Sequence, residues 1–173
     1  MRKPHTIAIV GNSGAGKTTL LERLIPALKR KGLRVGGVKH DAHRFDIDHP
    51  GKDSHRLTAA GADTMMITSA EKLEMVKRHA APPPIEELLE RYFSDVDLVL
   101  VEGFRGSSLP KIEVHRKEFR RELICRGDRN DPGLAAVASD EPPDVDIPVL
   151  DLNDPGAIAE FIASLLSETA SKP

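Results

Sequence analysis

Along the chain, short apolar runs that end in glycine alternate with longer stretches whose leucines recur at helical spacing. Thr6 to Val10 is β-branched and apolar and stops at Gly11, which predicts a buried strand. From Lys17 to Lys31, Leu20, Leu21, Leu24 and Leu28 mark one helix face, and Gly32 ends the helix. Pro26 lies inside it and should remove the hydrogen bond to Glu22 and bend it. Leu33 to Val38, with Gly36 and Gly37, predicts a second strand, followed by a polar loop from Lys39 to Lys52. Asp53 or Ser54 is then expected to cap a short helix that Gly61 ends.

Thr64 to Thr68 and Leu73 to Lys77 read as hairpin strands joined by Ser69 to Lys72. Pro82, Pro83 and Pro84 precede an amphipathic helix carrying Leu88, Leu89 and Tyr92, with Pro84 in the tolerated first turn. Leu98 to Val101 has the continuous apolar character of a central parallel strand. Leu134 to Ala138 and Ile147 to Leu150 predict two more strands. Asp154 to Leu166 predicts a last helix facing inward with Ile158, Phe161, Ile162 and Leu165, and the end after Ser167 is expected to fray. Strands alternating with helices imply an α/β fold, a mostly parallel sheet flanked by helices, with an added β-hairpin region.

Composition narrows this picture. A chain of 173 residues fits a single domain, 1–173. Aromatic residues are only 3% and Trp is absent, so the core must be aliphatic. No apolar stretch approaches the roughly 18 residues of a membrane span. Met1 to His5 is basic like a leader, but the apolar run behind it is only Ile7 to Val10, so a cytoplasmic, membrane-free protein is expected. The one cysteine, Cys125, excludes a disulfide framework and a Cys-based zinc cage. Lys and Arg number 25 against 27 Asp and Glu, a net charge of −2, so no basic field points to nucleic acid.

The sharpest chemical signal is Gly11-Asn12-Ser13-Gly14-Ala15-Gly16-Lys17-Thr18, with Thr19 after it, between a predicted strand and a predicted helix. It matches the phosphate-binding pattern G-x-x-x-x-G-K-[ST] in full and implies a P-loop NTPase-type domain. Glycines let the backbone turn its N–H groups toward a phosphate, and the helix adds its positive end. Lys17 is expected to reach the β- and γ-phosphates and Thr18 to ligate Mg²⁺. Glu102 ends the apolar strand Leu98 to Val101, where such sites place a carboxylate beside the metal, while Asp97 begins the strand at the far end. Lys17 and Glu102 are therefore the candidate catalytic pair.

Two further segments invite a reading. His40-Asp41-Ala42-His43-Arg44-Phe45-Asp46-Ile47-Asp48-His49 carries metal-ligand residue types but not the helical spacing of a His motif. A solvated loop suits it better, one whose acids lie near a metal and whose Lys39 adds positive charge at the nucleotide. Ser139-Asp140 ends a late strand; a carboxylate there can accept hydrogen bonds from guanine that adenine cannot offer, or simply start the turn before Pro142.

With these residues in place the chain resembles the molybdopterin-guanine dinucleotide biosynthesis protein B (MobB) family. The likeness rests on Gly11 to Thr18, Lys39 to His43, Asp48 to Ser54, Ala60 to Ala62, Val101-Glu102-Gly103-Phe104 and Pro110 to Val114. It implies a GTP-binding homodimer with weak Mg²⁺-dependent GTPase activity that assists the guanylyltransferase MobA in attaching GMP to molybdopterin. The chain is also similar to dethiobiotin synthetases, which implies a metal role for Glu102 and for Asp53. Relatives with a lysine at the second loop position reach across a dimer with it; here that position is Asn12, so slow hydrolysis is expected. Two other functions remain open at this point, an ATP-dependent small-molecule kinase or ligase and a nucleotide-gated metallochaperone.

Overall fold

A computed structural model describes residues 3–40, 48–119, 122–126 and 130–170. In chain order the elements are β1 (His5–Val10), α1 (Lys17–Arg30), β2 (Val35–Lys39), α2 (Asp53–Ala59), β3 (Thr64–Thr68), β4 (Leu73–Lys77), α3 (Ile85–Tyr92), β5 (Leu98–Glu102), β6 (Lys111–His115), β7 (Leu134–Ser139), β8 (Val149–Asp151) and α4 (Pro155–Ala170). Among the described residues, six strands form one sheet in the order β2-β5-β1-β6-β7-β8, and every neighbouring pair is parallel. The pair β3 and β4 is antiparallel, with the hairpin boundaries the sequence predicts. No described helix is long and apolar enough to cross a membrane.

The chain divides into two compact units, one of residues 1–40 and 89–173 and one of residues 41–88. In the first, Ile7 and Ile9 of β1, Leu98 and Leu100 of β5, and Ile112 and Val114 of β6 present one sheet face to Leu20, Leu24 and Leu28 of α1 and Ile158 and Ile162 of α4. All are essentially inaccessible, and burial of each such side chain contributes about 1.5–3 kcal/mol. Helix α1 runs through Pro26 without a break. Gly36 in β2 is needed for a close approach, because a Cβ there would lie 2.6 Å from the Phe93 ring.

The second unit holds α2 and the β3–β4 hairpin. Helix α2 starts one turn from a Pro50-Gly51 bend, and Lys52, not Asp53 or Ser54, occupies the capping position without a side-chain cap. The reason is local. The Ser54 hydroxyl donates to Asp48 Oδ1 at 3.0 Å, and the Asp53 carboxylate accepts from Arg56 at 3.2 Å, so neither turns back to the helix N–H groups. Met66, Ile67 and Leu73 of the hairpin are exposed.

Strand β6 is the element that the hydrophobic pattern does not predict. Lys111, Glu113 and His115 alternate with Ile112 and Val114 as if one face met water, yet all five residues are buried. Lys111 Nζ donates to the carbonyls of Ser107 and Leu109 at 2.5 and 3.0 Å and pairs with Asp131 at 3.1 Å. The Glu113 carboxylate accepts the N–H groups of Ile124 and Cys125 at 2.6 and 2.9 Å. Each buried charge is thus hydrogen-bonded, the condition on which burial of an ion is tolerated.

Cys125 lies against this polar row. Burial, then the adjacent Glu113 carboxylate, pushes its thiol up to about 12 from an ordinary 9.0. Only the thiolate is a nucleophile, so Cys125 should resist alkylation by iodoacetamide at pH 8 in the folded protein and react fully in denaturant; fast labelling of the native chain, read by mass spectrometry, would contradict this placement.

Candidate functional site

At the carboxyl end of β1 the chain enters a loop whose shape depends on glycine. Gly11, Gly14 and Gly16 have φ of 146°, 80° and 93°, in the region that disfavours side chains. Gly11 also passes so near β6 that a Cβ would lie 2.4 Å from the Val114 carbonyl oxygen. The Ala15 N–H donates to Asn12 O at 3.2 Å, closing a turn, and Gly16 caps α1 without a side chain. Among the described residues no acceptor takes the N–H groups of Gly14, Gly16, Lys17, Thr18 or Thr19. Free donors converging on a helix N-terminus suit an anion, because the helix dipole adds to their partial positive charge.

The side chains of the loop complete that chemistry. Lys17 folds over it, donating from Nζ to the carbonyls of Gly11 and Asn12 at 3.0 and 2.9 Å. Thr18 Oγ1 donates to the Glu102 carboxylate, at 3.2 Å from Oε1 and 3.0 Å from Oε2. Glu102 is held at the end of β5 by its register with Ile9 of β1, and Lys39, opposite it on β2, brings Nζ to 3.8 Å of Oε1. A hydroxyl and a mostly buried carboxylate in contact are hard oxygen donors of the kind Mg²⁺ takes, with waters and phosphate oxygens filling the rest of its shell. The residues present therefore fit a magnesium nucleotide.

Beyond Glu102 the chain turns abruptly. Gly103 and then Phe104 adopt positive φ, of 97° and 56°, and the Phe104 ring packs on His40 with centroids 4.0 Å apart. A non-glycine residue in that region costs on the order of 1–3 kcal/mol, so the surroundings over-determine this turn.

On the other side of the loop, Asp140 ends up beyond the last residue of β7 with its carboxylate already engaged. Oδ1 accepts from the Lys117 N–H at 3.3 Å and Oδ2 from Arg116 Nη1 at 3.4 Å. Arg116 also donates from Nε to the Ala15 carbonyl at 3.2 Å and so touches the loop directly. A cleft of about 610 Å³ opens beside it, lined by His115, Lys117, Leu123, Glu141 and Pro142 among others.

The structure thus brings Gly11 to Thr19, Lys39, Glu102 and Asp140 to one edge of the sheet. Asp53 belongs to the second unit, where it opens α2 and pairs with Arg56. Asp41, His43 and Asp46 of the His-rich segment lie outside the described residues. Among the described residues no group of three or more His, Cys, Asp or Glu side chains is placed to hold a metal ion. Arg116 and Phe104 are the contributors that sequence reasoning missed. The signal for Arg116 was its position directly after a strand, which was invisible while β6 was unassigned.

The sequence pattern of a family described as molybdopterin guanine dinucleotide synthesis protein B matches residues 6–140. The molybdopterin-guanine dinucleotide biosynthesis adapter protein of Escherichia coli (strain K12) is 38% identical over 175 residues, which span 94% of this chain and 93% of that protein. The protein of the same name from Haemophilus influenzae is 37% identical over 161 residues, spanning 92% and 88%. A crystal structure of molybdopterin-guanine biosynthesis protein B (mobB) superposes with a TM-score of 0.72 at 34% identity, covering 92% of this chain and 99% of that one.

Proposed function

The chain belongs to the molybdopterin guanine dinucleotide synthesis protein B family, and from that premise we propose that it is a GTP-binding adapter in the biosynthesis of the guanine dinucleotide form of the molybdenum cofactor. The observation that carries this reading is the Gly11–Thr18 loop, with free N–H groups at the start of α1 and the Thr18–Glu102 contact beside them. Residues 1–173 act in this reading as one nucleotide-binding domain.

The roles follow from the contacts. The N–H groups of Gly14 and of Gly16 to Thr19 cradle the phosphates, and Lys17 supplies a cation whose partners among the described residues are backbone carbonyls. Thr18 and Glu102 hold Mg²⁺, and Lys39 balances the carboxylate. The bound ion supplies charge neutralisation at the phosphate oxygens. Asp140 faces the base: a carboxylate has about four lone-pair sites, so the two hydrogen bonds it already accepts leave capacity for a guanine edge.

Hydrolysis is slow in this reading, because position 12 is Asn and no second lysine reaches a neighbour's nucleotide. The protein works in the cytoplasm as a homodimer beside the guanylyltransferase MobA. The names of its relatives, which call them adapter proteins, support an assisting rather than a synthetic role.

Calorimetric titration of the purified chain with Mg²⁺–GTP, Mg²⁺–ATP and Mg²⁺–GDP tests the reading. GTP should bind best, and Lys17→Ala should lose binding while keeping its thermal midpoint; a variant that binds like wild type would sink the phosphate-loop assignment, and a preference for ATP would favour a kinase or ligase. Glu102→Gln should flatten the Mg²⁺ dependence of GTP turnover and lower GTP affinity less; an unaltered dependence would move the metal role to another acid. Asp140→Ala should reduce the GTP-to-ATP preference by about tenfold, well under the roughly 10⁴ of a fully buried reader, because Asp140 is partly wet. If the ratio holds, Asp140 does not read the base.

A further inference from the structure

We propose that Arg116 is the positioning residue of the phosphate loop, and that its pairing with Asp140 sets the direction of the Gly16 N–H. This rests on the nucleotide reading above.

The argument starts from one peptide plane. The Ala15–Gly16 bond is trans, as are all the described peptide bonds, so its C=O and N–H point to opposite sides. Arg116 Nε takes the Ala15 carbonyl at 3.2 Å. The Gly16 N–H therefore points away from Arg116, to the side where the first N–H groups of α1 emerge. Among the described residues no other hydrogen bond holds that plane: Gly16 has φ 93°, no side chain and no other backbone bond until its carbonyl accepts Leu20 N–H at 2.8 Å. A glycine peptide held at one end only can flip at little steric cost.

The guanidinium is itself fixed. Its Nη1 meets Asp140 Oδ2 at 3.4 Å, and Asp140 Oδ1 is tied to the Lys117 N–H at 3.3 Å. Two arms of a rigid planar fork thus span from the β7 end to the loop, and Nε and Nη2 lie 3.3 and 3.5 Å from where a Gly16 Cβ would stand. A Cβ at position 16 would therefore crowd the guanidinium, which would have to give by a few tenths of an ångström. A lysine could meet either the carbonyl or the carboxylate with one ammonium but could not reproduce the fork. Arg116 acts through the loop rather than on the base, so its effect is the same for any nucleoside triphosphate.

The test uses the full chain with Arg116→Lys, Arg116→Ala and the Lys17→Ala reference. Mg²⁺–GTP and Mg²⁺–ATP affinities are measured by calorimetry, the thermal midpoint is measured without nucleotide, and the Gly16 amide is followed by ¹⁵N NMR. Losing one aimed donor to a phosphate should weaken both nucleotides by about tenfold or more. The GTP-to-ATP ratio should stay fixed in Arg116→Lys, the midpoint should remain that of wild type, and the Gly16 amide should shift. Arg116→Lys is the deciding variant, since it keeps the charge and the stem if Arg116→Ala fails to fold. Wild-type affinity in Arg116→Lys overturns the inference and leaves the nucleotide reading intact, provided that Lys17→Ala loses binding. A loss confined to GTP overturns it in favour of a base contact, and a loss that tracks a lowered midpoint overturns it in favour of a structural role. Absence of nucleotide binding by wild type overturns the nucleotide reading itself, and the inference with it.

Discussion

The parallel pairing of β1 between β5 and β6 is the constraint on which the candidate site depends. The chain leaves β1 toward β2 on one side and returns through β5 to β6 on the other, which makes β1 the point where the sheet's winding reverses. Loops at such a point part company and leave a crevice at the strands' carboxyl ends. Register fixes what lines it. Glu102 stands level with Ile9, and Glu113 stands level with Val10, so Val114 and His115 project past the end of β1 alongside the loop that follows. The loop must pass beneath the Val114 carbonyl, and only glycine at position 11 has room to do so.

That stagger also explains an unusually short connection. Parallel neighbours normally need a crossover of about a dozen residues or more, commonly a helix. Residues 103–110 suffice here because Ile112 is level with Glu102, so the chain crosses over β1 with almost no backtracking along the strands. The cost appears as local strain at Phe104 and as backbone carbonyls of the crossing that need partners. Lys111 answers the second by gathering the carbonyls of Ser107 and Leu109 with Asp131, so the crossing is fastened from the strand it leads into. Removing Asp131 would leave the buried Lys111 ammonium without its counter-charge, a larger penalty than the pair's net contribution.

Legibility in the sequence followed burial. Strands that are apolar on both faces, such as β1 and β5, and the hairpin with its short polar turn were readable to within a residue or so, since pattern and environment agree. The loop from Gly11 to Thr18 was readable because its glycines have no other economical explanation, and Glu102 because an acid ending an apolar strand stands out. Strand β6 was not, because Lys111 and Glu113 look solvent-facing until Asp131 and the N–H groups of Ile124 and Cys125 are seen around them. The cap of α2 failed for a related reason: the Ser54 hydroxyl is turned to Asp48, to which it donates, and not to the helix N–H groups it would accept from as a cap. Arg116 depends on contacts between residues far apart in sequence, with Ala15 and Asp140, and no local pattern encodes those.

The same strand order dictates when the molecule can close. Both neighbours of β1 come from the far half of the chain, its pairing with β5 joining residues such as His5 and Leu98. A ribosome adding about 5–20 residues per second needs roughly five to twenty seconds to deliver that partner. Throughout that interval Ile7 to Val10 and the leucines of α1 have no sheet to pack against. The strand that leads into the Gly11–Thr18 loop is made well before its two sheet partners, and its apolar run must be kept from other chains while it waits.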